Sequence, residues 1–489
     1  MYKNNLIQLL KSFSRKEMTR FREFVASPYF NKHREVRRLV VLLEQYYPDF
    51  NAANCDRHQL YQSLYPGEKH EQAQLALLFT YALRLVERFL THEQLRDYGE
   101  YEKILLLRQL RQKQCFRLYD RKMKELDKLL QTHPHRNSVY YNYHYLRAEE
   151  ADTYYTQLTK REMDFSIQEK QNNLDQYYLV VKLKDACEML LRSRILKVEY
   201  STGLLDIVVQ EMEKQLDLYQ SNPSIIVYYH IYQLLLNEKP EDYQDILPMI
   251  EQHAQYFSVP ELQSIYNYLQ NFCIKQVNLG SQRFLQASFE LFKIQLDRRL
   301  LLDDDGYLPE WHYKNIVANG LRLGETQWVQ QFIEGYKSVL RPEAQENAYT
   351  YNLASYYYGV RQYDKVLELL LRIEYTDLYY NLDSKAILLR TYYDLDEYEA
   401  FLSLNQAFQQ FVRRNRLVSD FQRKGYINML QLTKRIFQIK NNTGIKSRED
   451  QRQSLENLHK QLAQTNPVHN RSWLVRQIEE LGGGEAVGS

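Results

Sequence analysis

Apolar positions recur at helical spacing through most of the chain. From about Glu71, Leu78, Ala82, Leu85 and Phe89 fall at i, i+4, i+7 and i+11 with Arg84, Glu87 and Arg88 between them, which predicts a helix with one core face. Upstream, Phe13-Ser14-Arg15-Lys16-Glu17-Met18 sets a serine three residues before a glutamate, with Phe13 and Met18 placed to staple the turn, so a helix starts there. It stops near Ser27-Pro28. A second helix runs through REVRRLVVLLEQYY and ends before Pro48, and a short one over 56–64 meets the YPGEK turn. Residues 1–100 thus read as an N-terminal helical bundle. Residues 101–131 read as a basic amphipathic helix or helix pair, broken at THPHRNS. Two long helices, VYYNYHYLRAEEADTYY and LDQYYLVVKLKDACEMLLRSRIL, follow on either side of a polar break, REMDFSIQEKQNN. Breaks at Ser201, Ser221, Asn237, Ser258 and Asn278, spaced by about 20 residues, predict alternating helices and short turns through an irregular array over 101–300.

From Pro309 the pattern becomes regular. NIVANGLRLGETQWVQQFIEGY, NAYTYNLASYYYGVRQYDKVLELLLRI and LYYNLDSKAILLRTYYDLDEYEAFLSL each read as a helical hairpin, the last two separated by EYTD, with an aromatic residue just after the internal turn. Those aromatics are Trp328, Tyr363 and Tyr398, 35 residues apart. The repeats occupy 301–440. KNNTGIKSRED then opens a segment over 441–489 of linker, terminal helices and a frayed tail, GGGEAVGS.

A period near 34 residues resembles that of tetratricopeptide (TPR) repeats, helix pairs that bury their apolar faces only against their neighbours. Leu353, Ala354, Tyr357, Tyr363, Val366, Leu370 and Ile373 fall where that family places large, small, aromatic, aromatic, small, large and small residues. Leu388, Leu389, Tyr392 and Tyr398 keep the register in the next hairpin. Val366, Ile373, Leu389 and Phe401 are larger than the small residues expected there, so the helices should sit further apart than in an ideal repeat. FREFVASPYFN with LYQSLYPGE, LDQYYLVVKLKDACEML, HYKNIVANGLRLGETQWVQQFIEGY and YNLASYYY together resemble an uncharacterised TPR-like all-helical family of Bacteroidota over nearly the full length. That family has no assigned activity, so the resemblance implies a fold and no functional residue. The expected fold is all-α: a TPR-like α-solenoid of stacked helical hairpins with an N-terminal helical capping bundle.

Composition agrees with one elongated array. An apolar content of 44% in 489 residues can pack a continuous core, while 15 Gly and 11 Pro are too few for a sheet-rich or disordered chain. The 43 tyrosines suit thin layers whose rings keep one polar edge satisfied. Cys55, Cys115, Cys187 and Cys273 form no C-x-x-C pair, which is the usage of a reducing compartment, and neither LIQLL near the start nor Leu75–Leu83 is long enough for a membrane segment. Free thiols, a cytoplasmic location and no membrane partner are expected. The charge of +2 is unevenly spread: 10 Lys and Arg against 5 Asp and Glu in 1–50, 11 against 4 in 101–147, 12 against 4 in 411–460, and 31 against 49 elsewhere.

Catalytic signatures fail on inspection. His92-Glu93-Gln94-Leu95-Arg96 starts like a zinc helix but has Arg96 where the second histidine must lie. His133-Pro134-His135 lacks a third ligand nearby, and the positions six and twelve of a calcium loop counted from Asp303 are Leu308 and Lys314, so Asp303-Asp304-Asp305-Gly306 reads as an acidic turn. No phosphate-binding glycine loop or G-x-S-x-G elbow occurs. The expectation is a non-enzymatic scaffold without cofactor or metal, binding a protein or peptide in a groove lined by the first helix of each hairpin: Asn315, Asn319, Asn352, Tyr356 and Lys385. The alternative is a nucleic-acid-binding regulator using the basic helices of 101–147 and 411–460. Its candidate face is Arg413, Arg414, Arg416, Arg423, Lys424 and Arg435, with Tyr426, Met429, Leu430, Ile436 and Phe437 turned inward.

Overall fold

A computed structural model describes residues 3–67, 71–158, 165–196, 198–371, 378–441 and 447–482. Among these residues every regular element is helical: 24 α-helices and two 3-10 turns. The first five are α1 (Asn5–Ser12), α2 (Arg15–Ala26), α3 (Arg34–Glu44), α4 (Arg57–Leu64) and α5 (Gln72–Asp97). The next eight are α6 (Gly99–Gln112), α7 (Phe116–Gln131), α8 (Ser138–Leu158), α9 (Ser166–Leu196), α10 (Leu205–Lys214), α11 (Leu216–Tyr219), α12 (Pro223–Asn237) and α13 (Tyr243–His253). Then come α14 (Val259–Asn278), α15 (Gln282–Asp297), α16 (Glu310–Leu323), α17 (Thr326–Tyr336), α18 (Pro342–Gly359), α19 (Tyr363–Leu371), α20 (Leu378–Asp394), α21 (Tyr398–Arg414), α22 (Asp420–Lys440), α23 (Arg448–Gln464) and α24 (Arg471–Leu481). None of them is long and apolar enough to cross a membrane. The EYTD break, the middle of the KNNTGIKSRED linker and the tail beyond Gly482 lie outside the described residues.

Two compact units emerge. The first comprises Met1–Met189, Glu199–Tyr232 and Pro248–Phe257. Its N-terminal core forms because α2 starts where the sequence says it must: Ser14 Oγ accepts the Glu17 amide at 3.2 Å and the Glu17 carboxylate accepts the Ser14 amide at 2.6 Å. That cap aims Phe21 at Phe13 and Phe89, with ring centroids 5.5–6.0 Å apart. Leu78, Ala82, Leu85 and Phe89 are all buried, as the periodicity requires. The basic stretch is the hairpin α6–α7, and α8 packs on both helices. Here one expectation is corrected. Most of the polar stretch REMDFSIQEKQNN is helix, because α9 begins at Ser166 and runs unbroken to Leu196. Its polar residues satisfy one another at i, i+4 (Gln168 to Asn172, Gln171 to Asp175), and Arg147 pairs with Glu169.

Within this unit, burial followed by the charges of Arg147 and Arg136 pushes the His144 imidazole down to about 4. An unfolded histidine titrates near 6.5, so the unfolded chain takes up a proton that the folded one refuses, and stability falls as pH drops from about 6.5 to about 4. His144→Phe should therefore lose less thermal stability between pH 7 and pH 5 than the wild type does. Equal losses would contradict this assignment.

The second unit comprises Leu190–Val198, Gln233–Leu247 and Ser258–Ser489. Consecutive helices pack pairwise, and helices two apart also touch: α16 on α17 and α18, α18 on α19 and α20, α20 on α19 and α21, and α22 on α21, α23 and α24. The hairpins α14–α15, α16–α17, α18–α19 and α20–α21 close with the same turn. A residue in the left-handed region ends the first helix, and the next amide donates to the carbonyl five residues back, in the last turn. The turns are Gly280 (Ser281 N to Gln276 O, 3.1 Å), Gly324 (Glu325 N to Gly320 O, 3.0 Å), Arg361 (Gln362 N to Tyr357 O, 2.9 Å) and Asp396 (Glu397 N to Tyr392 O, 2.9 Å). The α14–α15 pair therefore belongs to the series that the sequence pattern began only at Pro309. Measured from the turns, Tyr363 and Tyr398 stand two residues on and Trp328 four, so Thr326 is the true counterpart of the two tyrosines. The equal spacing of the three aromatics hides a two-residue offset.

Arg361 has φ 58°, a conformation that strains any residue carrying a Cβ. Arg361→Gly should stabilise the protein by about 0.5–1 kcal/mol, read as a raised urea midpoint at unchanged slope.

Candidate binding face

The loop between α15 and α16 is fixed by charge. Asp303 accepts the amides of Asp305 and Tyr307, and Arg341 pairs with Asp303 and Asp305 at 2.7 Å each. These backbone amides and the guanidinium hold the Asp303 carboxyl below its ordinary range. The expected acidic turn is thus an anchored wall, with Gly306 supplying the left-handed residue at φ 84°. Between this wall, α14 and the start of α16 lies a cavity of about 590 Å³. Gln263, Ser264 and Asn267 line it from α14, and Trp311 and His312 from α16. Gln263 Nε2 donates to the Leu300 carbonyl at 3.0 Å and to the Leu302 carbonyl at 3.4 Å, which ties α14 to this loop. Burial lowers the pKa of His312, so its imidazole is neutral at pH 7 and can donate and accept one hydrogen bond each. Trp311 is 61% exposed, although three turns of α16 beneath it bury Tyr313, Ile316, Val317 and Gly320.

A second polar path crosses the first helices further along. Lys314 of α16 pairs with Asp383 of α20 and lies over the Tyr351 ring of α18, 5.0 Å from its centroid. Asp383 also accepts the Tyr426 hydroxyl at 2.6 Å, and the Tyr426 ring lies 4.0 Å from that of His469. Deeper, the Tyr358 hydroxyl donates to Asp394 at 2.6 Å and accepts the Trp473 indole N–H at 2.9 Å. Side chains from α16, α18, α20, α22 and α24 are joined through two carboxylates.

The five residues expected to line a groove separate. Asn315 is exposed, one turn beyond Trp311. Asn319 turns toward α15, its amide 2.8 Å from Ser288 Oγ. Asn352 is 0% exposed and donates to the Ala348 carbonyl at 2.8 Å, so the expectation that it meets a partner is corrected: it packs. Tyr356 is likewise buried and donates to Gln330 of α17 at 3.0 Å. Lys385, its pKa lowered by burial, lies over Phe411 with the ammonium 5.5 Å from the ring centroid. The physical reason for Asn352 and Tyr356 is that α18 is enclosed by α16, α17, α19 and α20, whereas α16 meets α15, α17 and α18. The half-buried positions that meet Lys314 are instead Tyr351 and Asp383, one residue before Asn352 and two before Lys385. Trp311, Gln263, Asn267 and His312 were missed. The signal for Trp311 was present: a large aromatic at the start of α16, outside the run of positions that its core uses.

The basic regions also divide. In 101–147, Arg111 pairs with Glu150 at 2.7 Å, Arg108 with Glu149 at 3.2 Å, Lys122 with Glu125 at 2.7 Å and Arg147 with Asp127 at 2.8 Å. In the C-terminal set, Arg413, Arg414, Arg416, Lys424 and Arg435 are exposed. Arg423 instead donates to the carbonyls of Arg413 and Val418, closing the end of α21, and Arg435 donates to Gln461. The expected inward residues, Tyr426, Met429, Leu430, Ile436 and Phe437, are all buried. His92 packs against Phe24 and Phe30, and Glu93 pairs with Arg20 and Arg96. Among the described residues no group of three or more His, Cys, Asp or Glu side chains could hold a metal ion. Cys55, Cys187 and Cys273 are buried free thiols, and Cys115 is an exposed one.

These elements define an all-α protein of packed helical pairs. No protein-family model, no curated protein and no solved structure matches the chain.

Proposed function

We infer that the chain is a non-enzymatic binding protein: a TPR-like array of stacked helical hairpins whose first-helix face, centred on the Trp311 cleft, takes an extended segment of a partner protein. The observation that carries this reading is Trp311, an indole 61% exposed at a 590 Å³ cavity lined by the amides of Gln263, Asn267 and Gln295, with the one carboxylate of its lining, Asp303, already paired to Arg341. A flat apolar platform beside uncharged donors and acceptors suits a peptide backbone with an apolar side chain, and exposed tryptophans are common binding hot spots. The recurrent left-handed turns at Gly324, Arg361 and Asp396, 37 and 35 residues apart, support the repeat reading. The internal pairing of Arg108, Arg111, Lys122 and Arg147 weighs against nucleic acid on 101–147, since paired cations release few counterions.

Peptides selected on the full-length protein from a random display library provide the test. Trp311→Ala should weaken the selected peptides by about 2 kcal/mol, roughly thirtyfold, while leaving the circular dichroism unchanged. Peptides indifferent to Trp311→Ala would overturn the reading, as would a native complex that dissolves entirely on nuclease treatment.

A further inference from the structure

A different feature stands in the N-terminal bundle. A cleft of about 380 Å³ runs between α3 and the end of α4. Arg34, Arg37, Arg38, Val41, Leu42 and Gln45 line it from α3, and Ser63 and Leu64 from α4. Residues at i, i+3 and i+4 of a helix are surface neighbours, so three guanidinium groups share one patch. Arg38 is oriented by the Leu64 carbonyl, to which it donates at 2.6 Å. None of the three is paired with a carboxylate among the described residues, whereas Arg20 and Arg22 of the adjacent α2 pair with Glu93 and Glu44.

The local sequence works against its own helix. Arg34 is the first residue of α3, where the helix dipole already presents positive charge, and His33 before it makes no side-chain cap. Only Glu35 offers an acidic group in that turn. Repulsion among neighbouring cations at a positive helix end is relieved by a polyanion, and the planar fork of arginine matches phosphate oxygens in pairs. A single carboxylate would leave two of the three charges unmatched. We propose that Arg34, Arg37 and Arg38 bind an oligophosphate group, with any organic stem lying on Val41 and Leu42. Val41 is 40% exposed, so that shelf is open to a ligand.

The shared chemistry is the oligophosphate; its source is either inorganic or the tail of a nucleotide. Full-length protein is titrated by calorimetry with inorganic tripolyphosphate and, separately, with a nucleoside triphosphate, at constant ionic strength. One saturable site per chain is expected. Tighter binding of the nucleotide assigns the stem to the apolar shelf, and equal binding assigns the free anion. Arg34→Gln/Arg37→Gln should weaken both probes at least tenfold, and Arg37→Lys, which keeps the charge and loses the fork, by several-fold. Lys239→Gln/Arg476→Gln, an equal charge change on exposed residues outside either basic face, should leave binding unchanged. Because the α3 substitutions remove like-charge repulsion, their melting temperature should not fall, which separates lost binding from lost folding. Absence of saturable binding by either probe overturns the proposal. Equal weakening by the Lys239→Gln/Arg476→Gln control overturns it too, as does a single-stranded oligonucleotide that binds and is not displaced by tripolyphosphate.

Discussion

Replacing Trp473 by alanine should destabilise the protein by about 3–5 kcal/mol, the range for deleting a buried tryptophan. Trp473 is 4% exposed and meets Tyr393 edge to face at 5.2 Å, so its loss opens a large cavity between α24 and α20. It also leaves the Tyr358 hydroxyl, which is committed as donor to Asp394, without the indole N–H that it accepts. The two effects can be separated. Trp473→Phe retains most of the ring volume while removing the N–H, and should be less damaging, at about 1–2 kcal/mol. Urea unfolding followed by circular dichroism reads both. An unshifted midpoint for Trp473→Ala would show that α24 does not seal this core.

Gly320→Ala should cost about 1–3 kcal/mol, although alanine is ordinarily the better helix former by about 1 kcal/mol. A Cβ at this position would stand 2.5 Å from Val329 Cγ2 and 3.1 Å from the Phe289 ring. Valine has little rotamer freedom with which to retreat, and the Phe289 ring is packed edge-on against Trp328 at 4.9 Å. The glycine is thus what lets α16 approach α15 and α17 together. A midpoint that rises, as propensity alone would require, would contradict this packing.

How much could be read from the chain follows from these same elements. Helix identity was legible because apolar spacing and local caps act over a few residues: Ser14 with Glu17 starts α2, and Leu78 to Phe89 face one core. Left-handed turn residues were not legible at Arg361 and Asp396, since neither is glycine and only the returned hydrogen bond reveals the turn. The candidate face was misregistered for a related reason. Which stripe of a helix meets solvent depends on how many neighbours enclose it, and Asn352 and Tyr356 sit on stripes that α18 buries. The cleft beneath Trp311 joins residues 44 to 49 positions apart, Gln263 and Asn267 with Trp311 and His312, and no local spacing rule connects them.

Amide hydrogen exchange of the full chain with and without a selected peptide measures the proposed face directly. Bound peptide should slow exchange over 259–271 and 298–318, with α1 to α5 unaffected. Protection confined to the N-terminal bundle or to the basic end of α21, with the Trp311 cleft unchanged, would contradict it.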